Sequence, residues 1–407
     1  MLPARPRILY LVPGHHFLPT AGPSRNALSV ARALARRAEV TLAFRTLAAP
    51  VVDEPFTLLA LDPGARLPAG PRDDAATRDL PPAELLRYLL QLRRFARSTL
   101  ARFDLVLEKS WLFSGSFARS ALARGRLGAA VENFVPALDR HARGWSKRLR
   151  LWAAERVVRN NLHRLPLVIA ETEALRRAMV ARWGLRAERI VVVPLGIDRT
   201  LFHPRPQEPA RRTLGLSPEP TILLYVGVLD ATHDLWPLLE AMAACSGRLP
   251  AALELHVVGD GERRTAYEFF VHRHGLPVRF HGRVPHEEVP LWIAAADLCL
   301  APYDPRVFAG GELGYATMKI PEYLAVGRPV AAVASARARQ LLRPGETGFL
   351  LDNRSRDWQA LLADFPGRER LRVMAEAAAA TPLPSWEDTA EGYLEACARL
   401  GRERGKA

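Results

Sequence analysis

Leu253-Glu254-Leu255-His256-Val257-Val258-Gly259-Asp260-Gly261 is a short apolar run that breaks at two glycines, and the residues after it follow helical spacing. A strand that stops at glycine and feeds a helix is the repeating unit of a parallel α/β sheet. The same grammar recurs on both sides. Ile222–Val226, Val278–His281, Leu298–Ala301, Pro329–Val333 and Gly348–Leu351 read as strands in the second half, and Arg7–Val12, Val40–Phe44, Asp104–Leu107, Ala129–Glu132, Leu167–Ala170 and Ile190–Val193 in the first. This alternation predicts right-handed βαβ units in two parallel sheets, and 407 residues suffice for both. The prolines between Pro194 and Pro220 place the divide, with a linker near 196–210. Pro63–Pro82 reads as a surface excursion of the first domain.

Hydrophobic residues make up 49% of the chain and charged residues 25%, the balance of a protein with more than one core, so disorder and a small stapled module are excluded. Cys245, Cys299 and Cys397 show no C-x-x-C spacing, which argues against a disulfide framework or a zinc site and for a reducing compartment. No apolar run reaches the length of a membrane span, and Ile8–Val12 is too short for a signal peptide; the expected location is cytoplasmic. Net charge is uneven. Residues 1–195 carry 32 basic and 16 acidic side chains, whereas 196–407 carry 25 and 27, so the first half is expected to meet an anionic partner.

In open parallel sheets ligands bind where strands end and helices begin, because free backbone N–H groups there can hold phosphate. Gly259 and Gly261 stand at such a point and serve equally a tight turn or a close approach to ligand; the third glycine of the G-x-G-x-x-G dinucleotide fingerprint is missing. The richest segment runs from Ala301-Pro302-Tyr303-Asp304 through a Gly-rich loop into Gly314-Tyr315-Ala316-Thr317-Met318-Lys319-Ile320-Pro321-Glu322-Tyr323. Lys319 and Glu322, three apart, share a helical face. Such a cation and anion suit a nucleoside diphosphate and its ribose, with a surface ion pair as the plain alternative.

These motifs carry a family resemblance. Val192-Val193-Pro194-Leu195-Gly196-Ile197-Asp198 with Phe202, Leu224-Tyr225-Val226-Gly227, Phe280-His281-Gly282-Arg283-Val284 with Ala296-Asp297, and Lys319-Ile320-Pro321-Glu322-Tyr323-Leu324-Ala325 with Gly327-Arg328-Pro329-Val330 resemble the nucleotide-sugar glycosyltransferases of the GT-B fold, family 4. The resemblance implies two Rossmann-like domains facing a cleft: an acceptor-binding domain over 1–195, a nucleotide-sugar-binding domain over 196–384, and a C-terminal helix over 385–407 crossing back to the first. It implies Glu322 on the ribose hydroxyls, amides near Ala316–Lys319 on the diphosphate, Gly227, Gly314 and Tyr315 among the nucleotide-sugar contacts, Gly22 approaching the diphosphate, and a site without metal or other cofactor. A carboxylate suits a vicinal diol because it accepts two hydrogen bonds.

The sequence departs from the family pattern where a Gly-Arg-Leu…Lys clamp is expected. Gly227-Val228-Leu229…His233 stands there, so the arginine is Val228 and the lysine is His233. The first glutamate of the Glu-x7-Glu pattern falls on Gly314. Compensation by Lys319, an imidazolium at His233 and helix-start amides is expected. In the first domain Val131-Glu132-Asn133 replaces a frequent histidine, leaving Glu132, His15 and His16 as catalytic candidates, with capping, acceptor contact or a plain loop role as alternatives.

Two basic amphipathic patterns occupy the first half. Over Arg87–Phe103 the apolar positions are Leu89, Leu92, Ala96, Leu100 and Phe103; over Trp145–Asn160 they are Trp145, Leu149, Trp152 and Ala153, among several arginines. Each suits a helix packed on the sheet or a peripheral contact with an anionic membrane. The expectation is a retaining glycosyltransferase moving a sugar from a nucleotide diphosphate donor to a lipid-linked, cell-envelope or small-molecule acceptor. Its rivals are a catalytically silent partner subunit and an epimerase or phosphorylase of the same fold. No nucleic-acid-binding signature is present.

Overall fold

The computed structural model describes residues 2–18, 22–48, 53–65, 77, 80–132, 145–249, 252–304 and 317–404. Two compact units divide them: one comprises 2–196 with 384–404, the other 197–304 with 317–383.

The first unit is built on a seven-stranded parallel sheet. Its strands are β1 (Arg7–Val12), β2 (Glu39–Phe44), β3 (Thr57–Ala60), β4 (Leu105–Lys109), β5 (Leu127–Glu132), β6 (Val168–Ala170) and β7 (Ile190–Val192), in the order β3-β2-β1-β4-β5-β6-β7. Around them lie α1 (Gly22–Ala35), α2 (Pro82–Thr99), α3 (Ser116–Leu122), α4 (Trp145–His163) and α5 (Glu173–Trp183). Strands buried on both faces read as continuous apolar runs, as β1 does in Ile8-Leu9-Tyr10-Leu11-Val12, all fully buried. Leu9, Leu11 and Val106 face one core with Leu85, Tyr88 and Leu92 of α2, Phe117 of α3 and Leu151 and Ala154 of α4. The strand β3 was not expected from sequence.

The second unit holds a six-stranded parallel sheet, β8 (Thr221–Val226), β9 (Leu253–Val258), β10 (Val278–Gly282), β11 (Leu298–Ala301), β12 (Val330–Val333) and β13 (Gly348–Leu351), in the order β10-β9-β8-β11-β12-β13. Its helices are α6 (Gln207–Thr213), α7 (Trp236–Ala244), α8 (Arg264–His274), α9 (Val289–Ala295), α10 (Lys319–Ala325), α11 (Ala336–Leu341), α12 (Ser355–Ala363) and α13 (Arg368–Ala379). Asp297 explains the Ala-Asp motif structurally: its carboxylate accepts from Ile222 N at 2.7 Å and from the Arg211 guanidinium at 2.7 Å, fastening α6 to the start of β8.

The last helix, α14 (Trp386–Arg404), belongs to the first unit. It packs on α1, where Arg36 meets Glu387 at 2.8 Å and Arg37 meets Glu391 at 2.9 Å, and Thr389 Oγ1 donates to Pro194 O at 2.9 Å. The three cysteines are free and buried.

The amphipathic readings need amendment. In α2 the buried residues are Leu85, Tyr88, Leu92 and Ala96. In α4 the inward stripe is Leu151, Ala154, Val158 and Leu162, whereas Trp145, Leu149 and Trp152 are exposed. The tryptophans therefore do not attach α4 to the sheet.

Candidate functional site

Crossovers leave opposite sides of a doubly wound sheet at one point, and the crevice there opens at the carboxyl ends of the flanking strands. In the second unit that point lies between β8 and β11. β8 delivers Tyr225 and Gly227, β11 is followed by Tyr303, and the Lys319 ammonium sits between them. Its Nζ lies 4.4 Å from the Tyr225 ring centroid, 5.1 Å from that of Tyr303 and 3.4 Å from the Tyr225 hydroxyl. Lys319 is only 9% exposed, which excludes the surface ion pair.

Burial pushes the Lys319 pKa down to about 7, against the opposing pull of Asp230 and Glu322. Aromatic faces stabilise a cation but carry no full negative charge. The result is a buried amine that holds its proton less firmly than a solvated lysine, adjacent to a strand end.

The loop after β8 is shaped by Asp230. Its Oδ1 accepts from Thr232 N, His233 N and His233 Nδ1, each at 2.9 Å. Burial opposes the carboxylate, but these bonds hold its pKa down to about 2. His233 stacks obliquely on Tyr303, with ring centroids 5.1 Å apart. Burial first, and then the Lys319 charge, lower its pKa despite Asp230, which favours the neutral ring in the unliganded protein. With Nδ1–H donated to Asp230, Nε2 can donate to an anion only after gaining a proton.

Asn353 ties the two loops together. Its Nδ2 donates to Asp234 O at 3.1 Å and to Tyr303 O at 3.2 Å, while its Oδ1 accepts from Trp358 Nε1 at 2.7 Å. Gly227 has φ +149°, and a Cβ there would stand 2.8 Å from Lys319 Nζ. Gly259 has φ +137°, and its Cβ would meet Gly227 O at 1.8 Å. The close approach that Gly259 permits is thus to the neighbouring loop's own backbone.

Thr317 hydrogen-bonds through its hydroxyl to the Tyr303 hydroxyl. Met318 precedes α10, and Glu322 lies half-buried one turn beyond Lys319. Gly314, Tyr315 and Ala316 lie outside the described residues. Among the described residues no group of three or more His, Cys, Asp or Glu side chains converges as a metal site.

In the first unit the corresponding point lies between β1 and β4. His15 and His16 follow β1, as expected for strand-end residues. His16 is buried, its Nδ1 hydrogen-bonded to the Thr46 hydroxyl; burial and Arg45 lower its pKa, against Glu84 and Asp62. His15 is half-buried. Gly22 begins α1 with open space around its Cβ position.

Glu132 ends β5 with no solvent exposure, and among the described residues neither carboxylate oxygen has a hydrogen-bond partner. Burial, reinforced by the Glu108 charge, raises its pKa to about 8, against the pull of the nearby Ser110 and Ser114 hydroxyls. It caps no helix. That role belongs to Glu108, which accepts from Phe117 N and Ala118 N at 2.9 Å, Trp111 Nε1 at 2.6 Å and Ser116 Oγ at 3.3 Å, at the start of α3. Behind the site, Lys109 and Glu171 form a buried ion pair at 3.1 Å, both almost inaccessible.

Comparison with known proteins agrees with this architecture. Residues 20–201 match the model "Glycosyltransferase Family 4" and residues 220–364 match "Glycosyl transferases group 1". The D-inositol 3-phosphate glycosyltransferase of Rhodococcus opacus (strain B4) is 30% identical over 354 residues, spanning 80% of this chain and 74% of that protein. That of Nocardioides sp. (strain ATCC BAA-499 / JS614) is 27% identical over 361 residues, 82% of this chain and 76% of the relative. Among solved structures, sucrose-phosphate synthase from Thermosynechococcus elongatus superposes with a TM-score of 0.68 at 20% identity, covering 99% of both chains. Anabaena Alr3699/HepE, solved with UDP and glucose, gives 0.67 at 18% identity over 99% of this chain and 100% of the other. Strand order, strand-end site and sequence relatives agree: the chain belongs to the family 4 (group 1) glycosyltransferases, which draw on a nucleotide-sugar donor.

Proposed function

We propose that the protein transfers a sugar, with retention at the anomeric carbon, from a uridine diphosphate donor to a hydroxyl of an anionic acceptor. The observation that carries the proposal is the Lys319 ammonium, buried between Tyr225 and Tyr303 at the switch point of the second sheet. Among the described residues Lys319 forms no ion pair and feels only the longer-range pull of Asp230 and Glu322, and a diphosphate would supply the missing anion. Glu322, one turn along α10, is the proposed ribose ligand. The acceptor class draws on the basic first half, and the names of the inositol phosphate relatives point the same way. The lipid-linked or envelope precursor expected above is one such acceptor, and the work is cytoplasmic.

In this reaction the acceptor oxygen bonds to the anomeric carbon as the bond to the β-phosphate oxygen breaks. The hydroxyl proton leaves with the diphosphate. Lys319 and a protonated His233 stabilise the charge gathering on that group, which is worth most in a water-poor site. Neither His16, engaged with Thr46, nor Glu132, fully buried, is assigned the acid–base step.

Calorimetry with UDP, GDP, ADP and TDP tests the donor site. UDP is expected to bind in the micromolar range, to lose at least about tenfold in affinity in Glu322→Ala, and to be indifferent to EDTA. No binding to any of the four would favour the silent partner subunit, a reading that Val228 supports, since it stands exposed where the family pattern has arginine. The anomeric configuration of the product, read by proton NMR, tests retention.

A further inference from the structure

α4 is apolar on two opposite faces. The inner stripe, Leu151, Ala154, Val158 and Leu162, is buried against the sheet. The outer stripe, Trp145, Leu149 and Trp152, is 80%, 54% and 56% exposed, and at 3.6 residues per turn Arg156 continues it. Arg156 lies 5.3 Å from the Trp152 ring. α2 repeats the arrangement at the same spacing. Leu86 and Leu90, 60% and 50% exposed, are continued by Arg93 and Arg97 on the face opposite the buried Tyr88 and Leu92.

Both helices cover the same core, and each joins two parallel strands, so each runs antiparallel to the sheet. Their N-terminal halves, which hold the exposed apolar residues, therefore lie towards the carboxyl edge of the strands, where acceptors bind. The arginines follow about 10 Å behind, near the depth of a lipid headgroup layer.

Charge singles out the occupant. The acidic residues of the two helices are already engaged: Glu84 with Arg45 at 2.5 Å, and Glu155 with Arg182 at 2.8 Å. Arg93, Arg94, Arg97, Arg148, Arg156 and Arg159 are exposed and have no ion-pair partner among the described residues. An exposed aromatic and aliphatic surface collared by cations, with no free anion, complements an anionic lipid headgroup layer. No helix among the described residues is long and apolar enough to cross a membrane, so such a contact is peripheral.

We infer that the outer faces of α2 and α4 dock the first unit onto an anionic membrane surface, apolar ends first and arginines in the headgroup layer. The docking does not depend on the donor site. Full-length protein is sedimented with vesicles of phosphatidylcholine alone and of an equal mixture with phosphatidylglycerol. Binding is expected only to the mixture, falling as salt is raised, with a blue shift of tryptophan fluorescence.

The variant carrying Trp145→Ser and Trp152→Ser is expected to lose at least about tenfold in partitioning, and Arg93→Ser with Arg97→Ser a similar amount. Thermal unfolding and UDP binding of both variants should match wild type, because these side chains lie outside the core and the donor site. Equal partitioning to both vesicle types, or undiminished partitioning of the tryptophan variant, overturns the inference. So does a dimer in sedimentation velocity that the tryptophan variant abolishes, since a second copy would then cover this surface.

Discussion

Lys319→Met is expected to weaken nucleoside diphosphate binding about 30- to 1,000-fold while making the unliganded protein more stable. The binding loss follows from removing the buried cation proposed to meet the diphosphate. The stability gain follows from the pKa of about 7, against an ordinary 10.5. Because the folded value lies below the unfolded one, the native chain binds fewer protons between these limits, and this group's contribution to stability rises with pH from about 7 to 10.5. Methionine removes that penalty, with an expected gain of roughly 2 kcal/mol or more near neutrality.

Opposite signs from one substitution distinguish a ligand-binding lysine from a structural one, which would lose stability when removed. The pH dependence of binding supplies a further check. Below pH 6 the ammonium exists before the ligand arrives, so affinity is flat. Above 7 a proton must be taken up, and affinity falls by up to about tenfold per pH unit. Calorimetry in buffers of different ionisation heat reads that proton directly. A slope that persists in Lys319→Met would move the uptake to His233.

Glu171→Ala is expected to destabilise the first unit by about 3–5 kcal/mol, because it leaves Lys109 charged and alone in the interior. Burial pushes the Lys109 pKa down, but the Glu171 carboxylate outweighs it and holds the amine protonated. Combining Glu171→Leu with Lys109→Met should recover most of the loss, since the desolvation cost of both charges goes with them. Urea unfolding of the single and double variants reads the coupling. Strict additivity would mean that the two side chains do not sustain one another.

Much of this architecture is legible in the sequence because parallel strands buried on both faces, such as Ile8–Val12 and Ile222–Val226, are written as unbroken apolar runs. Thr57–Ala60 escaped notice because β3 is a four-residue edge strand, part-exposed along most of its length, near Pro55 and Pro63. The candidate site was half legible. Lys319 and Glu322 stand out by spacing, but Tyr225 and Asp230, Tyr303, and Asn353 come from three separate strand ends, and only the fold brings them together. Tyr225 and Tyr303 lie within motifs already picked out, at the ends of strands, and that position was the available signal. Glu108 had no such mark. It sits inside an apolar strand, and its role as a cap for α3 depends on the turn that brings Phe117 and Ala118 back over the end of β4. In α4 the tryptophans dominated the pattern, although the smaller Leu151, Ala154 and Val158 make the packing surface.

The assignment of α14 to the first unit has a consequence for biosynthesis. Tyr393 and Cys397 are buried in a layer that α1 and the first sheet began some 350 residues earlier, and a Cβ on Gly196 would collide with the Ser385 backbone. On the ribosome, the whole second unit is translated before α14 emerges. The first-made half of the protein is therefore finished last. Until then its α1 face waits uncovered, a surface for chaperones to hold, and the smaller of the two sheets can complete its folding first.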